Sequence, residues 1–358
     1  MTSTIPLAAT YEQARDRFLA EARECGATVD SYVHPRAGLD GEELAIDVAR
    51  LGPDDATDVV LVVSGTHGVE GFCGSALQSR WLESCASDRP GHLAVVCVHG
   101  LNPFGFSWVR RTNEDNVDLN RNFVDWDHDV PRNPGYDEIA DLLVPTEWTD
   151  EERARTDGLL LEMLADRGLE SFQQTISGGQ YAHPAGVFYG GTGPVWSHHW
   201  LRSWIGQHLA DARRVAIVDL HTGLGPWGEG ELITSDPIGS PAHLRARSWW
   251  NEVTSMVGGD SVSAVLSGDW LHAAPGCMPR AEVTSAALEF GTIDPVSVLQ
   301  ALRADSWLHS HGDPTAPGAA EVRAQVRAAF ADEDPAWLDA VWARFLQVLE
   351  QTFLALSD

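Results

Sequence analysis

Lysine is absent from this sequence, and all 24 basic residues among its 358 are arginines. Without a lysine, the chain cannot form a Schiff base with pyridoxal phosphate or with a carbonyl substrate. A phosphate-binding loop of the GxxxxGK[ST] type is excluded for the same reason. The absence of one residue type therefore removes two large enzyme classes before any motif is considered.

Positive charge is scarce overall, since 52 acidic residues face 24 basic ones and the formal net charge is −28. A surface this acidic repels phosphate backbones and anionic lipid headgroups, so we expect no nucleic-acid partner and no membrane partner. No uninterrupted apolar run approaches the roughly 20 residues of a membrane span. The 44% of hydrophobic residues is nevertheless typical of a protein with a large folded core.

Cysteine is also sparse, and none of the five cysteines forms a CxxC pair: Cys25, Cys73, Cys85, Cys97 and Cys277. An odd, scattered set of this kind indicates reduced thiols rather than disulfides. Residues 1–10 contain no basic stretch followed by an apolar run, as a signal peptide would. We therefore expect a cytoplasmic protein.

Short apolar runs alternate with helical patterns along the chain. The run at 58–64 (DVVLVVS) predicts a buried strand, which a glycine-spaced turn and a helix through Trp81 follow. Further strands are predicted at 43–51, 92–99, 214–220 and 286–290, and helices at 11–25, 200–209, 296–302, 319–330 and 337–356. Residues 123–145 predict a long surface segment, and 149–171 predict one helix. The order of elements favours an α/β fold with a mixed, mostly parallel sheet and helices on both faces.

Three of the predicted strands carry polar residues at or just past their carboxyl ends. His67 and Glu70 follow the first, His221 follows another, and Glu289 lies in the last. In open α/β sheets these ends form one crevice, where active sites lie. Two histidines and one glutamate, with a fourth position open to water, make the ligand set of a catalytic zinc site. An HxxE pair is common by chance, but four glycines between 65 and 74 favour a tight loop over an exposed helix.

The segment 108–123 combines three arginines and four asparagines in an acidic chain. Clustered Arg and Asn side chains indicate a site for a carboxylate or an oxyanion. The alternative is a solvated loop in which the arginines pair with Glu114, Asp115 and Asp118. The residues alone leave both interpretations open.

Residues 117–123, Val-Asp-Leu-Asn-Arg-Asn-Phe, closely resemble the VDxNRN segment of zinc carboxypeptidases of the carboxypeptidase A type. The chain is also similar to that family in its HxxE pair with a later histidine and in the turn Asn102-Pro103. The resemblance extends over about 59–291 and implies an eight-stranded-type sheet in a single domain, 1–358. The segments GTHGVEG, DLHTG and LEFGT further resemble a bacterial branch carried as a domain of unknown function, and also the aspartoacylase branch.

The resemblance implies a role for each matching residue of the metal site. His67, Glu70 and His221 would bind one Zn²⁺ per chain. Glu289 would be the catalytic general base, which takes a proton from water and passes it to the leaving amine. These roles imply a metallohydrolase.

The resemblance also implies a substrate site. Arg110 would polarise the scissile carbonyl, with Arg111 beside it, while Asn120 and Arg121 would bind a free carboxylate. The tyrosine that covers the substrate in digestive members has no counterpart, because no tyrosine lies between 222 and 288. Tyr189 is one candidate for its place, and Trp270 and His272 are the others.

Together these features predict a zinc-dependent hydrolase that cleaves an amide bond beside a free carboxylate, in a small molecule or a peptide. One alternative is an N-acyl-amino-acid deacylase of the aspartoacylase kind. Another is a metal- or ligand-binding protein without turnover, against which the presence of both Glu289 and Arg110 argues. The segments around 125–195 and 295–358 are interpreted as an insertion and as C-terminal helices of the same domain.

Overall fold

A computed structural model describes residues 6–84 and 86–357 of the chain. The strands are β1 Thr28–Ala37, β2 Glu43–Leu51, β3 Asp58–Ser64, β4 Ala94–His99, β5 Arg214–Trp227, β6 Gly230–Thr234, β7 Thr254–Ser255 and β8 Glu282–Gly291. The helices are α1 Tyr11–Glu24, α2 Gly71–Ser84, α3 Pro103–Trp108, α4 Pro134–Asp137, α5 Ala140–Leu143, α6 Asp150–Arg167, α7 Leu169–Ser177, α8 Trp196–His208, α9 Pro241–Trp250, α10 Trp270–Cys277, α11 Pro295–Ser310, α12 Ala319–Phe330 and α13 Pro335–Ser357. Within these two ranges, none of the helices combines the length and the apolar character needed to cross a bilayer.

The described strands form one sheet of eight, in the order β1-β2-β4-β3-β5-β8-β6-β7. The central strands β4, β3, β5 and β8 are parallel to one another, whereas the pairs β1/β2, β2/β4 and β6/β8 are antiparallel. The predicted mixed, mostly parallel sheet is therefore confirmed. Because β3, β5 and β8 run in the same direction, their carboxyl ends meet at one edge.

Helices cover both faces of the sheet, and the central strands are apolar on both. Val60 and Val62 belong to the core beneath α1, α2, α9 and α13, whereas Val59, Leu61 and Val63 belong to the core beneath α8 and α10. Successive side chains of a strand point to opposite faces. A strand covered on both sides is therefore continuously apolar, which explains the run DVVLVVS.

Two of the predicted segments differ from the structure, and one strand has no clear sequence signal. Residues 123–145 do not stay on the surface, because α4 and α5 lie in this range and Tyr136 and Ile139 are fully buried. The single helix predicted at 149–171 is two helices, because Gly168 adopts φ 78° and ends α6. Strand β1 is an edge strand with a mostly exposed surface, so it lacks the apolar alternation that reveals a strand.

A third apolar cluster joins two parts of the chain that are far apart in sequence. Residues 134–188, which include α4 to α7, and residues 295–330, which include α11 and α12, pack their apolar side chains against each other. We call these two segments together the cap. The same cluster contains Val69 and Phe72, which lie directly after β3. The cap is therefore packed against the edge of the sheet where the predicted metal ligands lie.

Candidate metal centre and active site

The carboxyl ends of β3, β5 and β8 bring the predicted metal ligands together. His67 and Glu70 lie in the turn after β3, and His221 lies in β5, in register with Glu289 of β8. His67, Glu70 and His221 each offer one ligand atom, and these atoms lie within 4.8 Å of one another. The three residues are only 4%, 1% and 2% exposed. Two imidazoles and a carboxylate thus share one buried point.

Backbone contacts hold the turn that carries His67 and Glu70. The N–H of Gly68 donates to the carbonyl of Arg111 at 3.1 Å, and the next N–H donates to the carbonyl of Arg110 at 2.7 Å. A Cβ on Gly68 would lie 2.0 Å from the carbonyl carbon of Gly105 in α3, so no larger residue fits there. The N–H of Glu70 donates to the carbonyl of His67 at 3.1 Å, which closes the turn, and Nδ1 of His67 lies 2.9 Å from Glu70 Oε1.

Each of the two histidines turns its Nε2 towards a buried carboxylate. Nε2 of His67 lies 3.2 Å from Asp118 Oδ1, and Nε2 of His221 lies 2.7 Å from Asp219 Oδ2. A neutral imidazole that donates from Nε2 to such a carboxylate has the lone pair of its Nδ1 directed at the shared point. The two Nδ1 atoms lie 3.1 Å apart. Two nitrogen ligands of a tetrahedral zinc would lie about 3.3 Å apart, so the donor set fits this metal.

Asp219 is itself fixed from two sides. The indole N–H of Trp270 donates to Oδ2 at 2.7 Å, and the hydroxyl of Thr66 donates to Oδ1 at 2.8 Å. Trp270 thus lies behind His221 instead of covering a substrate, and His272 is not in the cavity lining. Residues two apart in a strand face the same side, so the Asp-x-His spacing of β5 is the sequence signal that identifies Asp219 as the partner of His221.

The charges around the shared point favour a cation there. Burial alone would raise the pKa of Glu70, but His67 and His221 hold that pKa below its ordinary value. Burial opposes the charge of Asp118 as well, yet Arg111 and the other neighbouring cations hold its pKa well below the usual range. The pKa of His221 is raised well above its ordinary value, since the nearby carboxylates outweigh burial. A proton or a divalent cation can supply the positive charge that these carboxylates attract.

Glu289 lies beside this centre and is half-buried. Its Oε1 accepts a hydrogen bond from the N–H of Leu224 at 3.0 Å. Burial and the charge of Glu70 raise the pKa of Glu289 to about 8, against the opposing influence of His221 and Arg111. A carboxyl group with this pKa exchanges its proton near neutrality, as a general base must.

Arg111 is the arginine that faces the centre. Its Nη1 lies 3.0 Å from Glu70 Oε1, and its Nε lies 3.0 Å from Asp118 Oδ2. The side chain lines the same cavity as Glu289. Of the two adjacent arginines, Arg111 is therefore the one that is accessible to a ligand in the cavity.

Arg110, predicted for that role, does not line the cavity. Its guanidinium is buried and pairs with Asp305 of α11 at 3.1 Å. The remaining N–H groups donate to the carbonyl of Asn113 and to Oδ1 of Asn116. Neighbouring residues in an irregular, non-helical segment point in different directions, so only one of the two arginines reaches the cavity. Arg110, predicted to contact the substrate, therefore lies outside the cavity, and its neighbour Arg111 lies inside it.

Asn120 and Arg121 line the cavity, as predicted for a carboxylate site. Arg121 donates from Nε and Nη2 to the carbonyl of Ser177 at 3.0 and 2.5 Å, which fixes the side chain in place. Oδ1 of Asn120 is buried and has no hydrogen-bond partner among the described residues. Buried polar atoms are almost always paired, and this unpaired oxygen is an acceptor, so it indicates a ligand that donates a hydrogen bond to it.

The loop at 178–193 reaches the cavity through Phe188 and not through Tyr189. Phe188 adopts a left-handed conformation with φ 55°, and its ring centroid lies 5.3 Å from the guanidinium carbons of both Arg111 and Arg121. Tyr189 is buried outside the cavity lining. The residue expected to cover the substrate is thus also one position away from the one that lines the site.

The cavity between these groups has a volume of about 100 Å³. Its polar lining includes His67, His221, Thr222, Glu289, Arg111, Asn120, Arg121, Gln173, Ser177, Ser235, Ser263 and Asp269. Its apolar lining comprises Phe188, Leu224, Ile233, Met256, Ala264, Leu266, Leu271, Ala287, Val298, Leu302 and Phe330. Ionic and apolar side chains thus line the same small cavity.

Several solved structures resemble this chain. Bovine thrombin-activatable fibrinolysis inhibitor, in complex with tick carboxypeptidase inhibitor, has a TM-score of 0.52 at 10% identity, with 99% of this chain and 98% of that chain covered. Carboxypeptidase A from Helicoverpa armigera has a TM-score of 0.47 at 16% identity, with 92% and 75% covered. An aspartoacylase family protein from Mesorhizobium loti has a TM-score of 0.40 at 13% identity, with 79% and 67% covered.

The likeness to the bovine protein confirms the carboxypeptidase-like α/β fold that the VDLNRN segment predicted. No curated protein matches the chain at a significant level. Residues 7–344 match the family described as "Protein of unknown function (DUF2817)". The chain therefore belongs to the DUF2817 family and has the fold of the zinc carboxypeptidases.

Proposed function

We propose that this protein is a hydrolase that holds one Zn²⁺ and cleaves an amide bond beside a free carboxylate. The observation that carries the proposal is the convergence of His67 Nδ1, His221 Nδ1 and the Glu70 carboxylate, with both Nε2 atoms held by buried carboxylates. When bound, zinc supplies a Lewis acid that polarises a carbonyl group and makes water acidic enough to lose a proton near pH 7.

Glu289 supplies the proton transfers of the reaction. Its carboxylate takes a proton from the attacking water and passes it to the leaving nitrogen. The backbone N–H of Leu224 holds one oxygen of this carboxylate, which leaves the other free to move the proton. A pKa raised towards neutrality suits both halves of the transfer.

Arg111 stabilises the oxygen of the scissile carbonyl as negative charge develops on it. A single preorganised donor of this kind contributes about 3–4 kcal/mol to catalysis. Asp118 and Glu70 hold the guanidinium in place before the substrate arrives. Such preorganisation avoids the reorganisation that a flexible side chain would need during the reaction.

Asn120 and Arg121 bind the carboxylate that lies beside the scissile bond. Both side chains line the cavity, where the NH2 group of Asn120 would donate to the carboxylate and Arg121 would supply the positive charge. Fixing the substrate at this end orients its amide towards Glu289. Both an exopeptidase and an N-acyl-amino-acid deacylase would use this arrangement, and the small volume of the cavity favours the deacylase.

The proposal extends to partners, location and domain organisation. The substrate is a small molecule or a peptide with a free carboxylate, and the net charge of −28 argues against nucleic-acid and membrane partners. The described cysteines, Cys25, Cys73, Cys97 and Cys277, are free thiols, which supports a cytoplasmic location. We regard 125–195 as an insertion and 295–358 as the C-terminal helices of one carboxypeptidase-like domain.

Metal analysis of protein purified without added metal tests the proposal first. We expect about one zinc per chain, and its loss in His67→Ala and in His221→Ala, because two remaining ligands make a weak site. Glu289→Gln should keep the zinc, while turnover of N-acyl amino acids or dipeptides falls by about 10²–10⁴-fold. A chain that takes up no zinc even when zinc is added, or unchanged turnover in Glu289→Gln, would overturn the proposal.

A further inference from the structure

We infer that the cap limits the proposed reaction to amides of a single amino acid that carry a short, apolar acyl group, and that it excludes polypeptides. The inference rests on the proposed function and adds the class of substrate to it. Its basis is that the two halves of the cap, 134–188 and 295–330, both contribute to the walls of the cavity.

Arg303 of α11 locks the two halves of the cap together. It is 0% exposed and donates to the carbonyls of Leu142 and Leu143 at 2.8 Å and to the hydroxyl of Thr156 at 3.0 Å. It also forms an ion pair with Asp157. A buried guanidinium whose partners lie on α5 and α6 cannot leave them without losing several charge-assisted hydrogen bonds. The two halves therefore move as one body or not at all.

The C-terminal half of the cap is fastened to the sheet next to the metal centre. The hydroxyl of Thr222, the residue after His221, donates to the carbonyl of Phe330 at 2.6 Å. The hydroxyl of Thr292, just past β8, donates to the carbonyl of Ala329 at 2.6 Å. These bonds place the end of α12 directly beyond the strand ends that carry His221 and Glu289.

The other half of the cap is tied to a loop, 259–268, that completes the enclosure. The side-chain amide of Gln173 donates to the carbonyl of Val262 at 2.8 Å. The side chain of Gln174 donates to the carbonyl of Val265 at 2.8 Å and accepts from its N–H at 2.9 Å. Ser263, Ala264 and Leu266 of this loop line the cavity together with Gln173 and Ser177.

The enclosed space is small for a peptide substrate. Pockets for drug-sized ligands have volumes of about 300–1,000 Å³, whereas this cavity has about 100 Å³. A peptide of three or more residues has to leave the metal centre through a gap on its amino-terminal side. We infer that the cap narrows this route, because the Arg303 contacts and the threonine bonds hold the cap next to the strand ends.

The wall that the C-terminal half of the cap contributes is apolar. Val298, Leu302 and Phe330 are 5%, 5% and 1% exposed, and all three line the cavity. In the inferred binding mode, the substrate carboxylate lies at Arg121 and the acyl group lies against this wall. Burial against these side chains stabilises an apolar acyl group. A charged amine loses its hydration there without gaining a partner from these side chains, so acylated amino acids are favoured over dipeptides.

A series of substrates that share one carboxyl-terminal amino acid tests the inference. The zinc-loaded enzyme is assayed with the N-acetyl and N-butanoyl forms, a dipeptide, a tripeptide and a pentapeptide. We expect the N-acyl forms to be best and kcat/KM to fall by at least about 100-fold for the tripeptide, the loss that misplacement of a reacting group causes. This comparison needs only the wild-type chain.

Leu302→Ala should enlarge the cavity at its apolar wall. The kcat/KM of substrates with longer acyl groups, relative to the N-acetyl form, should rise by about 10-fold or more. Leu308→Ala is the matched control, because Leu308 is also buried in α11 but does not line the cavity. The control should lose similar stability and keep the wild-type preference. An equal change in both variants would overturn the role of this wall.

Cleavage of the pentapeptide as fast as the N-acetyl amino acid would overturn the inference and leave the proposed function standing. If the zinc-loaded enzyme cleaves none of the amides, the proposed function itself fails and the inference fails with it. The two failures are therefore distinguishable in one experiment.

Discussion

Alanine substitutions of the adjacent residues Arg110 and Arg111 should affect different properties: Arg111→Ala should lower turnover, and Arg110→Ala should lower stability. Arg111→Ala should lower turnover, because this side chain faces the cavity beside Glu70. Removal of one preorganised oxyanion donor lowers kcat by about 10²–10³-fold. The effect should persist at saturating substrate, since the interaction strengthens only as charge develops on the carbonyl oxygen.

Arg110→Ala should instead lower stability. Its guanidinium pairs with Asp305, which is 2% exposed, and the substitution leaves that carboxylate buried without its partner. Breaking a buried pair from one side costs about 3–5 kcal/mol of unfolding free energy. The double substitution Arg110→Met with Asp305→Leu removes both charges and should recover most of this loss.

Urea unfolding measures the stability of each variant, and kcat is measured per bound zinc, so that loss of metal is not mistaken for loss of catalysis. The reasoning would be refuted if Arg110→Ala lost 100-fold in kcat while it kept its zinc and its stability. It would be refuted equally if zinc-loaded Arg111→Ala turned over at the wild-type rate. In either case the order of the residues in the sequence would identify the catalytic arginine better than their placement does.

Four further predictions follow from the site and the core. Asp219→Asn should weaken zinc binding by about 10–100-fold, measured by competition with a chromophoric chelator, because it loses the charge that orients His221; wild-type affinity would contradict this. In the pH profile of kcat/KM, the acid limb should lie above the ordinary pKa of a glutamate, because Glu289 must lose its proton before it acts and its pKa is raised to about 8. A bound cation shifts this limb to lower pH. Glu289→Gln should abolish the limb. Amidation of the substrate carboxylate should lower kcat/KM by about 10–150-fold. Arg121→Ala should then lower the kcat/KM of the amidated substrate little further. Equal kcat/KM for the free acid and the amide would exclude a carboxylate site. Burial lowers the pKa of His99 to about 4, so the unfolded chain takes up a proton at a higher pH than the folded chain does. The free energy of unfolding in urea should therefore decrease by up to about 3 kcal/mol between pH 6.5 and pH 4. The contribution of His99 to this decrease should be absent in His99→Phe.

The parts of the site that depend on strand ends were predictable from the sequence. Buried parallel strands produce continuous apolar runs, and their carboxyl ends share one edge, so His67, His221 and Glu289 could be placed together before their distances were known. The register between β5 and β8 then pairs His221 with Glu289 directly. In these elements a periodic backbone determines where each side chain points.

In the irregular loops, the residue that lines the cavity lies one position away from the residue that the sequence predicted. Arg110 and Arg111 lie in a loop after α3, and Phe188 and Tyr189 lie in a loop where Phe188 has a positive φ. No periodicity determines side-chain direction in such segments, so neighbouring residues of similar type cannot be told apart by pattern. The choice depends on tertiary partners such as Asp305, far away in the chain.

The packing of the two cap segments on each other could not be predicted from the sequence either. The sequence marks 125–195 as an insertion and 295–358 as terminal helices, but nothing local indicates that the two segments pack on each other. Arg303 and its partners on α5 and α6 are separated by more than 140 positions. Contacts at this separation arise from the three-dimensional arrangement of the helices, which local propensity and periodicity do not encode.

The contact between Gly68 and Gly105 has a consequence for how this metal centre can change over evolutionary time. The two backbones are in direct contact there, so no side chain fits between the turn that carries the ligands and α3. A methyl group at position 68 would have to push the turn, and with it His67 and Glu70, away from His221. The ligands can therefore be lost without any mutation of a ligand. A scaffold that is to accept the HxxE pair therefore also needs a glycine in the neighbouring segment, as close to the turn as Gly105 is to Gly68.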